Sequence, residues 1–367
     1  MTELFCGILK TREQALAHLK QVAPVLLAWY DTNARILPWR ENKDPYRIWI
    51  SEIMLQQTRV EAVKPYYERF LAEFPDLRAL AEAPIERVLK LWEGLGYYSR
   101  ARNLHKAANE IVQEYSGEFP RSSGELRKLS GIGEYTAGAI ASIAFEERVP
   151  AVDGNVLRVL SRLLQSSADI TKTQEKKGLS SLAQDMMPMT RVGDYNQAMM
   201  EIGALVCVPN GPPHCEICPL AGLCLAHRDG CEESYPKKAP KKARRKEEKT
   251  VLLAFMGEKV LLQQRPNEGL LAGLWEFPMM EGICSSGQIL HQFGIPESSV
   301  TKVIPAGKAK HIFSHVEWHM QGYLVWLSDC ALPECQGVWS CKEDLSEKYP
   351  IAVAQKKYRD LTVKMLG

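Results

Sequence analysis

The spacing of apolar positions divides the chain at one place. Through the first two thirds they recur every three or four residues: "ELRKLS" from Glu125, "AGAIASIAF" from Ala137, "VLRVLSRLL" from Val156 and "NQAMMEIGALV" from Asn196. That is the period of helices with a buried face. After about residue 250 the texture changes. "TVLLAFMGEKVLLQQR" (250–265) predicts two strands joined by a short turn at Gly257-Glu258-Lys259. "VEWHMQGYLVWL" (316–327) predicts another strand, and "PIAVAQKKYRDLTVKML" (350–366) a closing helix. Between the two textures lies "KKAPKKARRK" (237–246), with seven basic residues in ten. The pattern predicts a multidomain chain: a mostly α region over 1–232, a basic linker over 233–249, and a smaller α+β domain over 250–367.

Composition narrows the class without naming it. Hydrophobic residues make up 46% and charged residues 25% of the 367, as in ordinary globular proteins. No apolar run approaches the roughly twenty residues of a membrane span. The start, "MTELFCGILKTREQ", lacks the basic and then apolar stretch of a secretion signal. The expectation is a cytoplasmic protein, not secreted and not membrane-bound, whose ten cysteines are thiols or ligands and not disulfides. A net charge of +2 does not announce a polyanion partner. The basic run suits phosphates, but on charge alone a solvated linker is the favoured reading.

Four of the cysteines fall within eighteen residues, "CVPNGPPHCEICPLAGLC" (207–224), spaced C-x7-C-x2-C-x5-C. Prolines 209, 212, 213 and 219 exclude a helix, so the segment is a loop wrapped around something. Four close thiolates suit a tetrahedral zinc or an iron–sulfur cluster, and spacing does not decide between them. His214 is a further candidate ligand.

A second segment, "RSSGELRKLSGIGEYTAGAIASIAF" (121–145), has the grammar of a phosphate grip. Ser122 and Glu125 predict a capping box that starts a short helix. Gly131-Ile132-Gly133 predicts a tight turn, Ile132 plugging back between two helices, and the N–H groups of the next helix facing an anion. Short helix, G-x-G and long helix together resemble the helix-hairpin-helix element, which holds a DNA phosphate by backbone amides. It spans about 122–144, with Gly131 and Gly133 at the phosphate.

Two carboxylates complete the local picture. From Ile48 to Leu55 only Ser51 and Glu52 are polar, so Glu52 is desolvated, its pKa rises, and it suits a general acid. An acid that pairs with arginine or reaches solvent fits the same stretch. Asp153 and Asn155 precede the apolar helix of "VPAVDGNVLRVLSRLL", where either makes an ordinary N-cap. The chemical alternative for Asp153 is a carboxylate kept ionised by the helix N-terminus, opposite a developing cation. A neutral acid beside an ionised partner is the equipment of glycosidic cleavage.

Taken in order, "LPWR", "SEIMLQQTRV", "WEGLGYYSRARNLH", "GIGEYTAGAI", "VDGNVLRVLSRL", the four cysteines, "GLLAGLWEFP" and "FSH" resemble the MutY-type adenine DNA glycosylases across nearly the whole chain. That family is part of the helix-hairpin-helix superfamily shared with endonuclease III. The resemblance implies a helix-hairpin-helix glycosylase domain with an iron–sulfur loop, followed by a Nudix-like domain. It implies a base-excision-repair enzyme that hydrolyses the N-glycosidic bond of adenine mispaired with 8-oxoguanine or guanine in double-stranded DNA.

 The resemblance further implies a monomer at work in the bacterial cytoplasm, at the nucleoid, that leaves an abasic site without cutting the strand.

The same resemblance implies the residue roles. One 4Fe–4S cluster is held by Cys207, Cys215, Cys218 and Cys224, although the first gap here is seven residues where the family usually has six. Glu52 protonates adenine at N7, Asp153 stabilises the oxocarbenium-like sugar, and Tyr135 and Asn155 align these groups and the water. Arg35, Trp39, Arg40 and Gln197 line the adenine pocket or its entrance. Gln57, Thr58, Leu95 and Tyr97 wedge into the helix and touch the opposing base, and Phe313, Ser314 and His315 recognise 8-oxoguanine. A lysine stands at the Tyr135 position in strand-cleaving relatives such as endonuclease III. After "LAGLWEFP" the chain reads "MMEGICSSGQIL", without the glutamate cluster of a Nudix hydrolase, so no pyrophosphohydrolase activity is expected. A pyrimidine glycosylase on the same scaffold, or a lesion binder without catalysis, are the competing readings.

Overall fold

The computed structural model describes residues 11–240, 243–328 and 337–367. The first ten residues and the lysine pair 241–242 of the basic run lie outside them. The chain forms two compact units that do not follow a single cut: 1–67, 76–81 and 106–240 in the first, and 68–75, 82–105 and 241–367 in the second. Among the described residues no helix is long and apolar enough to cross a membrane.

In the first unit the regular elements are helices. Pro45–Leu55 packs on Glu134–Phe145, and Val192–Leu205 packs on Glu134–Phe145, Gly154–Leu163 and Val22–Asn33. Leu26, Leu160, Ala198 and Ile202 are fully buried where these helices meet. Gly203 permits the closest approach: a Cβ there would lie 2.6 Å from the Asn155 Cβ.

The expected hairpin of helices is present as Ser123–Leu126, a turn, and Glu134–Phe145. Gly131 takes φ +75°, which favours glycine, and Ile132 is buried between the helices. The capping box is only half formed. Ser122 Oγ accepts from the Glu125 N–H at 3.2 Å, but the Glu125 carboxylate turns to Lys128 and the Tyr115 hydroxyl. Glu147 accepts from the next residue instead, taking the Ser123 N–H at 2.6 Å and its hydroxyl at 2.8 Å.

The second unit carries a seven-stranded mixed sheet, β1 (Arg245–Met256), β2 (Lys259–Gln264), β3 (Trp275–Glu276), β4 (Met279–Glu281), β5 (Val300–Ile312), β6 (Val316–Leu327) and β7 (Gly337–Ser340). The order is β3-β2-β1-β6-β5, with β4 paired to β1 and β7 to β2. β1 runs parallel to β6. Val251, Leu253 and Phe255 face one core with Tyr358 of the helix Lys356–Met365, while Leu252 and Ala254 face a second core with Ile289. Both faces are covered, which is why "VLLAF" shows no polar alternation.

Three expected boundaries shift. Residues 245–249, read as the end of the linker, are the start of β1, where Arg245–Lys249 pairs with Val316–Met320. The β1–β2 turn is Gly257-Glu258 alone, since Lys259 already pairs with Met256. The closing helix starts only at Lys356, because Ile351 bridges Trp275 and Val353–Gln355 forms a 3-10 turn.

Candidate active site

Glu52 owes its environment to its helix. Asp44 caps Pro45–Leu55 through the Tyr46 N–H, and Pro45 occupies the first turn. Ile48, Trp49, Ile53 and Met54 are buried around Glu52, which is itself only 6% exposed. Tyr135, near the start of Glu134–Phe145, donates its hydroxyl to Glu52 Oε2 at 2.6 Å. Burial raises the Glu52 carboxyl to about 7; the Tyr135 bond and the Arg40 charge oppose this, and the Asp153 charge adds to it. Burial and the same two carboxylates push the Tyr135 phenol well above its ordinary value, so it remains a donor.

Asp153 is the N-cap of Gly154–Leu163 and accepts the Val156 N–H at 2.8 Å. Asn155 donates to its other oxygen at 2.7 Å. The helix N-terminus does not bring the Asp153 pKa below its ordinary value. Burial outweighs the Val156 and Asn155 bonds and the Arg158 charge, and the Asp153 pKa is raised. Glu52, Tyr135, Asp153 and Asn155 line one open cleft of about 1070 Å³ in the first unit.

The cleft also collects Arg35, Trp39, Arg40, Gln57, Thr58 and Gln197. The two arginines are organised by a residue that the sequence reading missed. Glu201, fully buried, accepts from Arg35 Nε at 2.6 Å, Arg35 Nη2 at 2.9 Å and Arg40 Nη2 at 2.8 Å. Burial would raise its carboxyl, but these bonds hold it down to about 2. A lone acid in "MMEIGALV" is the same signal that marked Glu52; its partners lie more than 160 residues away and leave no local trace. Gln57 sits at φ +58°, a strained conformation for a side chain of its type.

Arg158, also missed, ties this site to the cysteine loop. It donates to Asn155 Oδ1 at 2.8 Å, Gly203 O at 2.6 Å and Cys207 O at 2.7 Å. One turn on, Arg162 Nη1 reaches Cys207 Sγ at 3.2 Å.

Cys207 follows Val192–Leu205, Cys215 and Cys218 flank one 3-10 turn, and Cys224 caps Leu225–Arg228. None forms a disulfide. Burial pushes the Cys215 thiol up to about 12 and those of Cys218 and Cys224 to about 11, and the thiols lie close enough to raise one another. Among the described residues the group of possible ligand atoms lying within 4.8 Å of one another is Cys215, His227 and Glu232, not the cysteines together. A single zinc, with bonds of about 2.3 Å, needs its four sulfurs at about 3.8 Å spacing. The donor set and its wider spacing therefore fit a cluster better than one zinc. His214 is half exposed and turned to Glu216, 3.6 Å away.

The remaining predicted residues lie in the second unit. Leu95 is buried and Tyr97 is half exposed, at φ +49°. Phe313, Ser314 and His315 form the loop between β5 and β6, closed by Phe313 N–H to Val316 O at 2.8 Å. Phe313 packs edge-on to Trp318, while Ser314 and His315 are exposed, with Ser314 Oγ 3.2 Å from His315 Nδ1.

The family model described as HhH-GPD superfamily base excision DNA repair protein matches residues 50–184, and that of the NUDIX domain matches 250–361. An adenine DNA glycosylase of Rattus norvegicus is 39% identical over 357 residues, covering 81% of this chain and 69% of the relative. One of Schizosaccharomyces pombe is 33% identical over 405 residues, covering 91% and 88%. A solved thermostable thymine-DNA glycosylase superposes with a TM-score of 0.52 at 29% identity, covering 58% of this chain and 98% of that one.

Proposed function

Because the chain belongs to the adenine DNA glycosylase family, a helix-hairpin-helix glycosylase joined to a Nudix-like domain, we propose that it excises adenine opposite 8-oxoguanine or guanine in duplex DNA. The carrying observation is the buried Glu52 carboxyl, at about 7 and hydrogen-bonded by Tyr135, in the cleft that also holds Asp153 and Asn155.

The base must leave the stack to reach this cleft. Glu52, half protonated near neutral pH, delivers a proton to adenine N7 and makes the base a competent leaving group. Asp153, oriented by Asn155 and the Val156 N–H, faces the cationic sugar as the glycosidic bond breaks. Water then adds at C1′. Arg35, Trp39, Arg40 and Gln197 shape the base pocket. Gln57, Thr58, Leu95 and Tyr97 fill the gap in the duplex, the Gly131–Gly133 turn grips a phosphate, and Phe313, Ser314 and His315 read the opposing base. Cys207, Cys215, Cys218 and Cys224 would hold one 4Fe–4S cluster, which supplies shape to a DNA-facing loop and no step of the hydrolysis.

The product keeps an intact strand. Tyr135 cannot form an imine with the sugar, and its raised pKa makes it a poor nucleophile. The lysine that lines the cleft is Lys176. The test measures adenine release and strand scission on duplexes bearing adenine opposite 8-oxoguanine, guanine, cytosine or thymine. Release from the first two, with breaks only after alkali, is expected. Release of thymine instead, or binding without release of any base, overturns the reading. Nicking as fast as release overturns the single-activity part and points to Lys176.

A further inference from the structure

The loop that carries Leu95 and Tyr97 is not part of the compact unit that holds Glu52; it belongs with the sheet that carries Ser314. The attachment is ionic and buried. Lys90, at the end of the helix Ile85–Leu91, donates to Leu345 O and Tyr349 O, each at 3.1 Å. It also pairs with Glu93 at 2.7 Å, and Glu93 pairs with Arg359 of Lys356–Met365 at 2.5 Å. The Lys90 and Glu93 side chains are only 10% and 11% exposed, so these charges depend on each other and not on water. A second tie runs from Arg102 to Ala272 O.

Within the loop, Arg100 is buried and donates to Leu95 O at 3.2 Å and Gly96 O at 3.1 Å. Its guanidinium lies against the Trp92 ring at 5.4 Å and the Tyr97 ring at 5.6 Å. Tyr97 is thus held, strained and half exposed, by a frame that continues through Trp92 and Glu93 to Arg359.

We propose that Glu93 is a positioning residue: with Lys90 and Arg359 it locks the Leu95–Tyr97 loop onto the sheet domain, so that wedge insertion and reading of the opposing base act as one body. This rests on the proposed function for what each loop contacts. Glu93 touches no reacting atom. Its loss leaves the buried Lys90 and the partly exposed Arg359 without their shared counter-charge, which frees the wedge from the reader while the Glu52 cleft stays intact.

The test uses the full-length protein and duplexes carrying uncleavable 2′-fluoroadenosine opposite 8-oxoguanine or guanine. The readouts are the ratio of the two dissociation constants and the fluorescence of 2-aminopurine beside the mispair, which reports wedge insertion. Glu93→Gln should lower the ratio about tenfold and reduce the fluorescence change, with the single-turnover rate on the 8-oxoguanine duplex within about threefold. Ser314→Ala added to Glu93→Gln should lower the ratio little further, since the uncoupled reader no longer reaches the wedge. Arg359→Gln, with the thermal midpoint measured alongside, repeats the test if Glu93→Gln does not fold, and should give the same loss. An unchanged ratio in either folded variant, or fully multiplicative effects of Glu93→Gln and Ser314→Ala, overturns the coupling. Binding that discriminates normally in a wild type unable to release adenine overturns the proposed function instead, and the coupling is still read from the ratios.

Discussion

Glu52→Gln separates the two consequences of burying an acid. Glutamine keeps the size and can still accept the Tyr135 hydroxyl, but it has no proton to give. General-acid catalysis is worth about a hundredfold to ten-thousandfold, so adenine release should fall by at least that much while binding to the mispair persists. The same burial raises the carboxyl from 4.5 to about 7. A group whose folded-state pKa is raised contributes stability that is complete below its unfolded value and is lost as pH rises through the folded value. Here the loss runs from about pH 4.5 to 7 and amounts to about 3 kcal/mol. Glutamine carries no such term. Urea unfolding at pH 5.5 and pH 8 should show the wild type losing stability across that window and the variant losing less, so the inactive protein is the more stable one at pH 8. Equal pH slopes for the two proteins, or an active Glu52→Gln, would refute a buried, proton-donating Glu52.

Purified protein should contain iron and acid-labile sulfide at about four of each per chain by chemical analysis; one zinc and no iron contradicts the cluster. Ser314→Ala should reduce the preference for 8-oxoguanine over guanine by about fivefold, the worth of one hydrogen bond, with little change in single-turnover rate on bound substrate; equal losses on both substrates contradict it. Gly203→Ala drives a Cβ to within 2.6 Å of Asn155, so it should cost about 1–3 kcal/mol in unfolding measurements and slow adenine release by displacing the partner of Asp153. A variant with wild-type stability and rate would show that the contact relaxes freely. Tyr135→Phe removes a bond that lowers the Glu52 pKa, so the falling limb of the pH–rate profile should move to higher pH; a limb that stays or moves down contradicts that role.

What was legible in the sequence was whatever depends on near neighbours. Glu52 is buried because Ile48, Trp49, Ile53 and Met54 surround it within one helix, and Asp153 caps a helix whose start is visible at Gly154. The misses are non-local. Glu201 looks like any acid in an apolar run until Arg35 and Arg40 arrive from the other end of the unit. The first residues of β1 looked like solvated linker because "RKEEK" is charged. In the sheet Lys249 is buried, pairs with Glu247 and Glu281, and lies over the Trp318 ring. Gln57 and Tyr97 take positive φ without a glycine or asparagine to announce it, so only the backbone reveals that both are strained at positions assigned to the wedge.

The three acids of the cleft differ more in their partners than in their burial. Glu201 receives two guanidinium groups and is held near 2. Asp153 receives a backbone N–H, an amide and the more distant charge of Arg158, and its pKa is raised despite them. Glu52 receives a single phenol that is itself uncharged, and reaches about 7. Glu52 is poised to exchange a proton at neutral pH; Glu201 is committed to orienting arginines. A neutral donor at Glu52 is what makes this division possible. A guanidinium in place of Tyr135 would hold Glu52 ionised as Arg35 and Arg40 hold Glu201, and a purely apolar neighbour would leave its carboxyl higher still and slower to release its proton. The phenol therefore sets the acid between those limits.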